Sequence, residues 1–311
     1  MKKSLLNPLQ DFIVEPKFVG LRIDQYLVQS LGLARNQVIK SFKESQVWLN
    51  GKLAKPSMHV RVEDKVRFKL IQQECTLEPV FMPLKFLYDD KDLVIVDKPA
   101  GLVTHPSHGH WEHSLVHGLL YHFKSLSQGS HVLRPGIVHR LDKDTSGCLI
   151  VAKNNEMHQA LAELFEKRAI EKKYMAVVSG IPSQRVGRID HGIKRGNVNR
   201  KRMVISESGK KAVTHYQLLR KYNHFSVLLL KLETGRTHQI RVHLKSMGLP
   251  ILGDEMYGKS DKIGLNIPRL MLHAWSIKFK HPFTDKIIHV KSKIPEDMQS
   301  VMKKLKKQKV L

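Results

Sequence analysis

Hydrophobic and polar residues follow two different rhythms along this chain, and the switch between them divides it. Leu21, Tyr26, Leu27 and Leu31 fall near helical spacing, and beyond Gly32 the positions Val38, Ile39 and Phe42 continue it in a second helix. Val47-Trp48-Leu49 then runs into Asn50-Gly51, a strong tight-turn signal, and Val60, Val62, Val66 and Phe68 offer further strand positions. Two helices followed by short strands predict a small domain over residues 12–71. The stretch 72–82 keeps neither period, and Pro79 and Pro83 punctuate it, so it reads as a linker.

Beyond it the apolar runs are strand-like. Phe86-Leu87-Tyr88 and Leu93-Val94-Ile95-Val96 flank a polar turn, which predicts a hairpin ending in Asp97-Lys98-Pro99-Ala100-Gly101. Ser114 to Phe123 has helical period, and an amphipathic helix is predicted over about 156–168. Further strands are expected at 171–178, 225–232 and from Arg269 to His281, and a helix after Pro295. The whole is an α+β pattern, with a second domain over 83–300 and a basic tail over 301–311.

One stretch stands out chemically. Cys148 to Ala152 is short, unbroken and rich in β-branched residues, so it reads as a buried strand. The polar nonapeptide before it, His139 to Gly147, is then a loop delivered to a fixed place by a rigid strand, where catalytic groups tend to sit. Asp142 lies between Arg140 and Lys143, which favours its ionised form, and Asp144 is expected to point away. A charged turn with Thr145 and Ser146 bonding the local backbone fits the same residues. Further on, Gly235 turns the chain and Thr237 can N-cap a helix. On that helix Gln239 and His243 share one face, and His238 and Arg241 another.

Charge narrows the partners. Lys and Arg number 53 against 28 Asp and Glu, a formal net charge of +25, which suits RNA, DNA or an anionic membrane. Apolar runs stay well short of the roughly 18 residues a membrane span needs. MKKSLLNPLQDF lacks the apolar core of a signal peptide, and Cys75 and Cys148 form no metal-like spacing. A reduced, cytoplasmic protein is expected. In the first domain Arg22, Arg35 and Lys52 are candidate RNA contacts, and 185–211 is a basic, glycine-punctuated loop or ribbon containing Arg200, Lys201 and Arg202. His113 and His117 have zinc-compatible spacing, but no Cys or further His completes a set, so the histidines from His105 to His122 are expected to be solvated or RNA-facing.

R-I-D-Q-Y-L, A-R-N-Q-V, V-W-L-N-G-K, P-S and E-D-K-V in the first domain resemble the S4 RNA-binding module. H-R-L-D-K-D-T-S-G, K-Y-M-A-V-V-S-G, E-T-G-R-T-H-Q-I-R-V-H, P-I-L-G-D-E-M-Y-G and L-H-A-W-S-I-K-F-K-H-P resemble, in this order, the RluA family of RNA pseudouridine synthases, nearest to its RluD and RluC type. The resemblance spans about 15–300. It implies a large mixed, mainly antiparallel sheet flanked by helices, and isomerisation of uridines in large-subunit ribosomal RNA or its precursor subunit. By motif, Asp142 is the catalytic aspartate and Tyr174 the tyrosine that stacks near the uracil and is a proposed base for the C5 proton. Arg241 pairs with the aspartate, Arg140 holds or replaces the flipped base, and Arg236 contacts RNA. The reaction moves a glycosidic bond from N1 to C5 without redox change, so no cofactor, metal or obligatory protein partner is expected. Another structured RNA such as tRNA would suit the same chemistry, and a non-catalytic RNA-binding assembly factor is the rival from a different class.

Overall fold

The computed structural model describes residues 9–33, 35–70, 77–107, 111–128, 133–197, 199–200, 202–258 and 266–307. The chain separates into two compact units, Met1–Thr76 and Leu77–Leu311. In the small unit, strand β1 (Gln10–Ile13) precedes helices α1 (Ile23–Leu31) and α2 (Arg35–Lys43), followed by β2 (Val47–Leu49), β3 (Lys52–Leu53) and β4 (Lys65–Phe68). The sheet order is β1-β4-β2-β3, antiparallel throughout. Asn50 and Gly51 both take positive φ, +50° and +80°, as a two-residue hairpin turn requires. Ile23, Tyr26, Leu27 and Val38 from the helices meet Val47, Leu49, Val66 and Phe68 from the sheet in one core. Val60 joins that core from a loop and Val62 is exposed in a turn, so these two are not strand residues as expected. β1 escaped the sequence reading.

The large unit carries a nine-stranded sheet in the order β5-β6-β7-β14-β8-β13-β12-β9, with β15 on β14. Its strands are β5 (Lys85–Asp89), β6 (Leu93–Lys98), β7 (Ser146–Ala152), β8 (Glu171–Ser179), β9 (Val186–Asp190), β12 (Val213–Lys221), β13 (Phe225–Leu232), β14 (Leu272–Lys280) and β15 (Ile287–Lys291). β10 (Ile193–Arg195) and β11 (Met203–Ile205) form a separate ribbon in the basic stretch. The helices are α3 (Leu115–His122), α4 (Asn155–Glu166), α5 (Gln239–Ser246) and α6 (Glu296–Lys307). The sheet is mixed and mainly antiparallel, as expected: β7 and β14 pair in parallel through Ser146 with His273 and Gly147 with Ala274.

β7 is buried along its whole length, and alternation sends its residues into two cores. Leu149 and Val151 join the cluster that includes Leu115, Leu119, Met298 and Val301, while Cys148, Ile150 and Ala152 join Met157 and Leu161 of α4. α6 runs across the expected boundary at 300. Val301 and Leu305 are buried in the main core, so residues 301–307 are not a free tail; 308–311 lie outside the described residues. The expected linker also ends early. Val80 donates its N–H to His117 O and Met82 O bonds His122 Nε2 at 2.7 Å, which ties 80–82 to the large unit; 71–76, with Cys75, lie outside the described residues. Among the described residues no helix is long and apolar enough to cross a membrane.

Candidate active site

The loop before β7 is pinned from several sides. Thr104 Oγ1 donates to Leu141 O at 3.0 Å, and the Thr145 N–H donates to Asp142 O at 3.1 Å. His139 accepts the Ile150 N–H on Nε2 at 2.8 Å, and burial, with Lys172 nearby, pushes its pKa down to about 3, so it is a neutral acceptor. Lys98 is fully buried, and its ammonium donates to Pro99 O, Leu102 O and Lys143 O at 2.8, 2.8 and 3.0 Å. Burial pushes its pKa down to about 7, opposed by Asp144 and Asp142. Three carbonyls around one nitrogen match the three N–H bonds of the charged form. Gly147 takes φ +110° against β14, where a Cβ would collide with the Ala274 carbonyl. These contacts leave Asp142 half-buried at the apex.

Asp142 meets α5 and the turn after it. Arg241 Nη1 donates to Asp142 Oδ2 at 3.3 Å, while its Nε and Nη2 each donate to Asp254 at 2.8 Å. Asp254 also accepts the N–H groups of Met256 (3.0 Å) and Tyr257 (2.9 Å). Burial works to raise its pKa, but Arg241 and these N–H bonds outweigh that and hold it below the usual range. His238 Nε2 lies 3.9 Å from Asp142 Oδ1, and its Nδ1 bonds Tyr257 OH at 2.8 Å. Tyr257 OH already accepts the Met203 N–H at 2.7 Å, so its own proton goes to Nδ1 and leaves Nε2–H facing Asp142. Burial lowers the His238 pKa despite Asp142, which fits that neutral tautomer.

Tyr174, on β8, completes the site. It lines a cavity of about 110 Å³ together with Arg140, Asp142, Leu232, His238 and Leu272. Burial raises its pKa, and the Asp142 charge adds to the effect, so the phenol stays protonated. Asp142 also borders an open cleft of about 760 Å³ that Arg202, Arg140 and Arg269 line. Arg140 is exposed at the rim of both.

The structure brings Asp142, Tyr174, Arg241 and Arg140 together, with Arg202 beside them. Arg236 lines the Tyr174 cavity, Arg200 is exposed on the ribbon, and Lys201 lies outside the described residues. In the small unit Lys52 is exposed, whereas Arg22 and Arg35 converge on the buried Asp24 at 3.0 and 3.3 Å, which partly neutralises them. Asp254, His238, Tyr257 and Lys98 were not named as site residues from the sequence; the shared face of His238 and Arg241 was the one signal available.

Two expectations need correction. Thr237 does not cap α5: its N-cap is His238 in the left-handed region, and Gln239 Oε1 accepts the Arg236 N–H at 3.0 Å instead. Gln239 and His243 do share a face, both bonding Thr214 Oγ1. The histidines at 105–122 are not simply solvated. His117 is buried and caps α3, its Nδ1 bonding Ser114 Oγ at 2.8 Å, and His105 is buried as well; His108 and His110 lie outside the described residues.

Among the described residues one group has ligand atoms close enough for an ion, Asp90, Asp92 and His281, within 4.8 Å. His281 Nδ1 accepts the N–H groups of Phe283 and Thr284, which puts its proton on Nε2, 3.2 Å from Asp90. That nitrogen offers Asp90 a proton rather than offering a metal a lone pair.

An RNA pseudouridylate synthase family model matches residues 92–246, which include Arg140, Asp142, Tyr174 and Arg241. The chain is 40% identical over 290 residues to an uncharacterized RNA pseudouridine synthase, YlyB, of Bacillus subtilis, covering 92% of this chain and 94% of that one. It is 37% identical over 311 residues to ribosomal large subunit pseudouridine synthase D of Zymomonas mobilis, covering 96% and 98%. Among solved structures, human RNA pseudouridylate synthase domain containing 4 matches with TM-score 0.57 and 27% identity, covering 71% of this chain and 92% of that one. The fold and the relatives are those of RNA-modifying enzymes. The chain belongs to the RluA family of RNA pseudouridine synthases, which isomerise uridine in RNA.

Proposed function

We propose that this enzyme converts specific uridines of large-subunit ribosomal RNA to pseudouridine, in the cytoplasm, with Asp142 as its catalytic residue. The name of the Zymomonas mobilis relative supports the substrate. The observation that carries the assignment is a half-buried carboxylate fixed by an arginine that is itself locked to a second, buried carboxylate. Asp142 is the one carboxylate among the residues that line the Tyr174 cavity, which suits a reaction in which no water is activated, unlike glycoside hydrolysis with its two flanking acids. Asp142 serves either as nucleophile at C1′ or as base for the 2′ proton. The N1–C1′ bond breaks, the uracil turns within the cavity, and C5 joins C1′ as the Asp142 ester breaks or the 2′ proton is returned; the C5 proton passes to solvent in the open cleft, and N1 takes one from it.

The base must first leave its stack, at a cost of a few kcal/mol. Tyr174 and Leu232 offer it walls, and Arg140 at the rim takes its place in the helix. Because Tyr174 stays protonated, it contributes its ring face rather than a phenolate base. Arg202, Arg200, Lys201 and Arg236 supply phosphate contacts, and the small unit acts as an S4-type RNA-binding module through Lys52, Arg22 and Arg35. The test is Asp142→Asn assayed on ribosomal RNA fragments for pseudouridine. Turnover should fall by at least about three decades, each worth about 1.4 kcal/mol of transition-state stabilisation. Activity within tenfold of the unaltered enzyme would refute the assignment.

A further inference from the structure

A cavity of about 480 Å³ shares Tyr174 and Arg140 with the Asp142 site but does not include Asp142. Arg140, Arg168, Lys172 and Arg236 bring four positive charges to it, against Glu166 and Glu233. Glu233 is already taken by His215, at 2.5 Å. Strand alternation accounts for Lys172. It shares Tyr174's side of β8, whereas Glu171 and Lys173 turn to the other side, where Glu171 binds Lys173 at 3.1 Å and Lys231 at 2.9 Å. Lys172 Nζ lies 5.4 Å from the Phe165 ring centroid and beside Gly235, where a Cβ would come 4.0 Å from it. Among the described residues no acceptor or carboxylate pairs with this ammonium, and burial lowers its pKa. A half-buried cation without a counter-charge is costly unless a ligand supplies one.

Arg168 gives an independent pointer. It sits just past α4 with φ +57°, where its N–H closes the helix on Phe165 O at 3.2 Å. That left-handed position favours glycine, so an arginine there is kept at a backbone cost. Non-glycine residues held in such conformations cluster at ligand sites.

We propose that this cavity seats the RNA phosphodiester adjacent to the flipped uridine, with Lys172 and Arg168 on its non-bridging oxygens. The proposal rests on the reading of the enzyme as a ribosomal RNA pseudouridine synthase. The test uses a ribosomal RNA fragment in which the unaltered enzyme forms pseudouridine, and synthetic copies carrying one neutral methylphosphonate on either side of the target. Binding is measured in the full-length Asp142→Asn background, which leaves the uridine unconverted. Lys172→Met and Arg168→Gly should each weaken binding about tenfold and lower the salt slope by about 0.7 to 0.9. Arg168→Gly relieves the backbone, so its loss cannot be ascribed to misfolding. At one of the two linkages the methylphosphonate should weaken binding by the parent but add little to Lys172→Met, the mark of a direct pair. Affinities within twofold with unchanged slopes, or additive effects at both linkages, would overturn the subsite while leaving the enzyme's function intact. Failure of the unaltered enzyme to form pseudouridine in any ribosomal RNA fragment would instead remove the reading beneath it.

Discussion

Asp254 reaches Arg241 through two bonds of 2.8 Å, accepts two backbone N–H groups besides, and is 1% exposed. Asp142 reaches the same arginine through one bond of 3.3 Å and is 20% exposed, with His238 standing off at 3.9 Å. Thirteen residues of chain separate Asp254 from the arginine, and ninety-nine separate Asp142 from it. The near carboxylate is saturated and fixes the arginine; the far one keeps oxygen lone pairs open toward a cavity. A buried pair that is fully hydrogen-bonded is costly to break, and a partly exposed one is cheap to disturb. The two acids therefore divide structure from chemistry.

That division can be broken or sharpened by substitution. Asp142→Asn should remove turnover but leave the thermal midpoint within about 3 °C, since only one long, partly exposed contact is lost. Asp254→Asn should do the reverse in emphasis. It leaves Arg241 half-buried with one weak partner, and a loss of about 3 kcal/mol in urea unfolding is expected, with turnover reduced about a hundredfold. Equal losses of stability in both variants would erase the distinction.

Lys98→Met should cost about 2 kcal/mol, because it strands three part-buried carbonyls under the Asp142 loop. A neutral result would mean those carbonyls find other donors. Tyr174→Phe should keep turnover within about tenfold, since the hydroxyl is already confined to its protonated form; a far larger loss would restore it as a proton carrier. A separate effect is on pH. Burial pushes His273 down to about 4 and His139 to about 3, so below pH 6.5 the unfolded chain binds more protons than the folded one. Stability should fall as pH drops from 6.5 toward 4, by up to about 1.4 kcal/mol per pH unit for each histidine. Asp254, held below the usual carboxylate range, keeps its contribution through that window and loses it lower down. Urea titrations at pH 7, 5.5 and 4.5 would show the slope, and a flat profile would exclude both histidines.

β7 and its loop were legible because an unbroken apolar run beside a polar nonapeptide needs only local pattern. β12 was missed because Val213, Thr214 and Tyr216 are buried among His215, Gln217, Arg220 and Lys221, and the strand is fixed by its neighbours β9 and β13. Asp254 looked like one more loop residue in P-I-L-G-D-E-M-Y-G; its meaning appears when that turn folds back on α5. Lys98 beside Pro99 reads as surface, since nothing local announces three converging carbonyls. Thr237 was the best cap by residue type, yet Gln239 reaches back from inside the helix. Local chemistry was readable where one segment suffices, and not where two distant segments must meet.

The parallel seam between β7 and β14 has a mechanical consequence. Tyr174 and Asp142 hang from opposite sides of it, one on β8 and the other ahead of β7. The stiff antiparallel panels on either flank behave as two plates, joined where Gly147 lies flush against Ala274 and Ser146 bonds His273 at 2.9 Å. The spacing of the tyrosine from the aspartate is therefore gauged by the thickness of a glycine, much as a shim sets the gap between two jaws.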